Sequence, residues 1–178
     1  MTTFENLIAK ESEILNRLHK NIHKTFIKRG KSKSGLKAWK EACQKCHSYK
    51  SGLDYYTEKA CLDKAYSGEI LEFVICFLEI DPWFFRSGYL KQVFITKLKR
   101  SDLTPSEINR TKKVLIKAVE AKGTREFKYY CRLASAIADE ILIRNLKMIE
   151  SLKDGAASSR ARMMLNYIRR HGQMTFEH

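Results

Sequence analysis

"EILEFVICFLEI", residues 69–80, is the stretch that decides the fold. From 70 to 80 it is apolar nearly all round, interrupted by Glu72 and Glu79. A helix of that kind is buried on every side. Asp81-Pro82 closes it, because the residue before a proline resists the α conformation. The run is too short to cross a bilayer. The rest of the chain must therefore supply amphipathic partners that surround it.

Helical periodicity supplies them on both sides. Upstream, Phe4, Leu7, Ile8, Leu15, Leu18, Ile22 and Phe26 share one face of a first helix. Thr2 and Glu5 have the spacing of a capping box, and Gly30 is placed to stop that helix. "GKSKSG", residues 30–35, reads as a flexible connection. A second helix over about residues 34–50 turns Leu36, Trp39, Cys43 and Cys46 inward, and "DYYTEKACLDKAY", residues 54–66, predicts a third that ends near Ser67-Gly68. Downstream, "DPWFFRSG" is a loop, followed by a helix with Leu90, Val93, Phe94 and Leu98 on its core face.

"TPSE", residues 104–107, is the sharpest local signal: Thr104 as N-cap, Pro105 at the first helical position and Glu107 completing the capping box. That helix carries Ile108, Leu115, Ala118 and Val119 to a stop at Lys122-Gly123. Thr124 opens a long pattern through Phe127, Tyr130, Cys131, Ala134, Ile137, Ile141, Met148 and Leu152, with a break near Asp139. Gly155 separates a last helix over about residues 159–171. No run has the character of a strand. The expectation is an all-α fold of seven to nine helices in one domain, residues 1–178. Residues 1–29 form a basic amphipathic helix, 30–35 the connection and 36–178 a helical core. Consecutive antiparallel helices of this length resemble the stacked hairpins of HEAT or armadillo arrays. No internal repeat at their period is evident, so an irregular bundle is the alternative.

Composition and charge narrow the partners. The formal charge is +14, which favours nucleic acid, an anionic surface or an acidic protein. The amino-terminal residues have neither the basic nor the apolar region of a secretion signal, and five cysteines make an odd number. Both point to a reducing cytoplasm. Charge is also segregated. Residues 17–50 carry eleven Lys/Arg and one Glu, 54–81 two Lys and seven acids, and 82–134 thirteen Lys/Arg and four acids.

The cations form helical stripes. Lys10, Arg17, Lys20, Lys24 and Lys28 share an arc of the first helix; Arg110, Lys113 and Lys117 do so after Thr104; Arg125, Lys128 and Arg132 do so on the next helix. If the last two helices pair as a hairpin, Arg110, Lys113, Lys117, Arg125, Lys128 and Arg132 merge into one phosphate-tracking surface. Any solvated face of a lysine-rich amphipathic helix carries the same stripes. Gly123 also sits where a helix-turn-helix would place its turn, but any αα-hairpin matches as loosely. A second candidate is the interaction loop over residues 82–89, where Trp83, Phe84, Phe85 and Tyr89 surround Arg86, with Trp83, Phe85, Arg86 and Tyr89 as its candidate contact residues. The other reading of these rings is a plug for the helical core.

Chemistry finds little support. There is no Gly-rich phosphate loop, nucleophile elbow or H-E-x-x-H. His19 and His23 are spaced i, i+4 but flanked by Lys20 and Lys24, unfavourable for a cation. Cys43, Cys46 and His47 spell the C-x-x-C-H of haem attachment; on a helix both thiols share the face of Leu36 and Trp39 and read as core, with Cys61 a remote fourth zinc ligand. The sequence thus predicts a non-enzymatic helical module with no metal and no cofactor. Its basic surface engages nucleic acid or another polyanion such as an acidic protein, and a protein-interaction adaptor using the 82–89 loop is the alternative.

Overall fold

The computed structural model describes residues 3–121, 125–151 and 155–172. The capping box expected at Thr2 and the boundary signals at Lys122, Gly123, Thr124 and Leu152 lie outside them. Nine helices and no strand form among the described residues: α1 (Thr3–Phe26), α2 (Lys33–Ser48), α3 (Asp54–Leu62), α4 (Gly68–Ile80), α5 (Ser87–Leu98), α6 (Pro105–Glu120), α7 (Phe127–Ile137), α8 (Glu140–Ser151) and α9 (Gly155–His171). The protein is all-α.

α4 is the centre of the fold, as its composition requires. Eight of its residues are buried, and it packs against α1, α3, α5 and α6. Phe73 and Phe77 meet Phe94 of α5 edge-on at 6.2 and 5.1 Å. Further along, α5 lies on α7 and α7 on α9, while α1–α2 and α8–α9 are hairpins. One continuous apolar cluster runs from Ile8 to Ile168. Both a superhelix of hairpins and an irregular bundle are compatible with these contacts.

Local signals set the boundaries. Thr104 caps α6 with both reciprocal bonds of a capping box: its hydroxyl accepts from the Glu107 N–H, and its own N–H donates to the Glu107 carboxylate at 2.7 Å. The break near Asp139 is real. Ala138 turns extended, and Asp139 accepts from the Leu142 N–H at 2.9 Å to start α8.

Three expectations change. α3 stops at Leu62, because Tyr66 folds back into the core, its hydroxyl donating to the Ala60 carbonyl and its N–H to Ser101 Oγ. Residues 30–35 are not a loose linker. Lys33–Gly35 are already helical, the Ser32 hydroxyl accepts from the Gly35 N–H, and a Cβ at Gly35 would overlap the Lys28 carbonyl. The corner from α1 to α2 is therefore tight and depends on glycine. The inward face of α2 is also only half covered: Trp39, Cys43 and Cys46 are half-buried and Leu36 is 39 % exposed. Among the described elements α2 packs on α1 alone, so no second neighbour covers that face.

Candidate polyanion interface

The α1–α2 hairpin stands against the body through the first half of α1, where Ile8 is fully buried and Phe4 packs on Phe73. Its second half carries the basic arc. Between the two helices runs a groove of about 540 Å³, floored by Ile14 and Leu18 and flanked by Arg17, Lys20 and Lys24 from α1 and Lys45 from α2. No carboxylate lines it. None of these four cations pairs with an acid among the described residues. Like charges held together without counterions raise the local potential and attract an anion.

The groove has a fixed end. The Tyr49 hydroxyl, on the groove wall, and the Ser51 hydroxyl both donate to Glu11 Oε2 at 2.8 Å. Burial, then the bond to the Glu11 carboxylate, pushes the Tyr49 hydroxyl above its ordinary value, so it stays a neutral donor. Glu11 is thereby occupied in tying the end of α2 to α1.

The aromatic loop lies beside the same helix. Asn16 of α1 donates to the Trp83 carbonyl at 2.7 Å, and His19 stacks on Phe85 with ring centroids 4.6 Å apart. Residues alternate: Pro82 and Phe84 are buried, whereas Trp83 is 81 % and Phe85 60 % exposed. Of the two expectations for these rings, the core plug applies to Phe84, which meets Phe77 edge-on. Asp81 and Arg86 bracket the loop in the left-handed region, at φ 57° and 71°. A non-glycine residue there is uncommon and is held by its surroundings. Asp81 is held by Lys91, whose side chain is 5 % exposed and lies 2.6 Å away. Arg86 starts α5, with its guanidinium 5.3 Å from the Phe85 ring. Tyr89 is exposed and accepts from Arg125 Nη1 at 2.9 Å.

The stripes on α6 and α7 have a different setting. Arg110 turns to α4, where Nε and Nη2 grip Glu79 at 2.8 and 2.7 Å and Nη1 meets Glu72 at 2.6 Å. Lys117 Nζ donates to the Glu79 carbonyl at 2.6 Å. Lys128 and Arg132 lie over the Tyr129 ring at 5.1 and 5.4 Å. Lys113 is exposed. The structure thus brings the acidic 54–81 region against a basic helix, and two of the three cations of the α6 stripe, Arg110 and Lys117, bond to it. Periodicity places Arg110 on a face; it cannot see acids on α4, more than thirty residues upstream.

The thiol and imidazole motifs stay dispersed. Cys43, Cys46 and His47 belong to α2 and Cys61 to α3, which do not touch. Among the described residues no three metal-ligating side chains converge. A cavity of about 20 Å³ between α4, α6 and α7, lined in part by Asp81, Lys117, Glu126 and Tyr130, has room for about one water and no substrate. No described helix is long and apolar enough to cross a membrane. Comparison of the chain with family models, curated proteins and solved structures finds no match.

Proposed function

We propose that this chain is a non-enzymatic binding module that takes a polyanion, nucleic acid, in the cationic groove between α1 and α2. One observation carries the reading. Four cations from two helices face one groove that no carboxylate lines. The net charge of +14 adds long-range attraction. Lys113, Lys128 and Arg132 are exposed as well and extend the positive surface outside the groove. The adaptor alternative draws on the exposure of Trp83 and Phe85.

The test is binding of labelled oligonucleotides at two salt concentrations. Each released phosphate contact contributes about −0.7 to −0.9 to the slope of log K against log salt. With three or four groove contacts, affinity should fall roughly 20- to 150-fold between about 50 and 200 mM salt. Charge reversal at Lys20, Lys24 and Lys45 should abolish binding. Reversal at Lys113, Lys128 and Arg132 should weaken it less. Full retention of affinity in the groove variant overturns the proposal.

A further inference from the structure

We infer that the nucleic acid held by the groove is single-stranded, its bases stacking on Trp83 and Phe85 while its phosphates follow the cations of α1. The inference rests on the proposed polyanion reading and names the form of its ligand.

The rings are presented by a pinned loop. Phe84 anchors it in the core, the Asn16–Trp83 bond ties it to α1, and two left-handed residues fix its ends. Large rings held exposed on a fixed loop lose little entropy when a flat partner lands on them. Phe85 already accepts one planar heteroaromatic ring, His19, at an interplanar angle of 18°. Arg86, beside Phe85, and Arg125, beside Tyr89, add cations that suit a base and its phosphate.

Position on α1 connects the two features. At about 100° per residue, Asn16 and His19 share the arc that meets the loop. Lys20, Lys24 and Arg17 follow on the adjacent arc, which lines the groove. The two arcs adjoin on a helix about 10–12 Å across with its side chains, a width of about three to four nucleotides at ~3.4 Å stacked rise. A single strand can therefore reach both at once. A duplex keeps its base faces stacked inside and offers the rings only its edges. Cationic and imidazole neighbours around the rings also match a nucleic acid better than an apolar protein patch.

The experiment compares ring and groove variants on three polyanion probes, a labelled dT20 strand, a 20-base-pair duplex and heparin, and separately on anionic phospholipid vesicles. Trp83 and Phe85 are exposed, so Trp83→Ala and Phe85→Ala should leave the fold intact by circular dichroism. Each should weaken dT20 binding about tenfold with an unchanged salt slope and unchanged heparin affinity. Lys20→Gln with Lys24→Gln should weaken all three probes and flatten the slope. Wild-type protein should prefer dT20 to the duplex. If the ring variants bind dT20 like wild type while the groove variants fail, the polyanion reading survives and stacking is overturned. If ring variants instead lose only binding to anionic vesicles, the rings belong to a membrane surface and the inference is equally overturned. Binding of no probe by wild-type protein removes both readings together.

Discussion

Arg110 shows how a residue's chemistry is set by neighbours remote in sequence. Its fork holds both oxygens of Glu79 and one of Glu72, with the side chain 29 % exposed. The bonds to Glu79, then that to Glu72, push its pKa above the ordinary arginine value, so the charge is permanent and already matched by two carboxylates. Arg110→Leu should leave the glutamates unmatched and cost roughly 1–2 kcal/mol after solvent screening, seen as a Tm lower by about 2–8 °C. Oligonucleotide affinity should hardly change, because Arg110 faces α4. A large loss of affinity with unchanged Tm would contradict this placement. Asp139 gives the matching pH case. Burial raises its pKa, but the Lys112 bond and the Leu142 N–H lower it further, and the net shift is down. A carboxylate with a depressed folded pKa adds stability above its unfolded value of about 3.9 and loses it as pH falls through the folded value. The Tm difference between wild type and Lys112→Met should therefore be constant above about pH 5 and shrink below about pH 4. A difference that grows on acidification would contradict the assignment.

At the scale of elements, the helices with strong local chemistry were legible and their mutual arrangement was not. The apolar run of α4, the capping box of α6 and the break before α8 each follow from residues within one turn of the feature. The half-covered face of α2 does not, since periodicity identifies a face without saying how many neighbours cover it. The groove was half legible. Arg17, Lys20 and Lys24 form an evident stripe, but Lys45 joins them only because the corner at Gly35 brings α2 back along α1. The stacking of His19 on Phe85 joins residues too far apart for any local pattern. The corner is itself testable. Gly35→Ala forces a Cβ against the Lys28 carbonyl and should splay the hairpin. Amide exchange in α2 should accelerate while α4 and α5 stay protected, and oligonucleotide affinity should fall with Lys45 no longer facing Arg17. Unchanged exchange in α2 would show that the corner relaxes without cost.

For the whole molecule, charge segregation links stability to ligand. Residues 17–50 carry eleven cations against one acid, and α2 packs on α1 alone among the described elements, so this hairpin holds much of the self-repulsion and little of the core. The acidic 54–81 region lies instead with α4 and answers cations from α5 and α6, through Lys91 with Asp81 and Arg110 with Glu72 and Glu79. The body thus matches part of its positive charge internally, whereas the cations of residues 17–50 meet few acids. Simple salt should raise Tm modestly by screening the hairpin's repulsion. A polyanion that binds only the folded state should raise it further, by an amount set by RT ln(1 + [L]/Kd), about 2.7 kcal/mol at a hundredfold excess over Kd. On a domain of this size that corresponds to roughly 5–11 °C. Replacing Lys20, Lys24 and Lys45 with Gln should remove the polyanion increment and lower the salt increment, since fewer charges remain to screen. Heparin titrated against both proteins by thermal scanning would read the two increments separately. An undiminished heparin shift in the variant would locate the binding charge outside the groove.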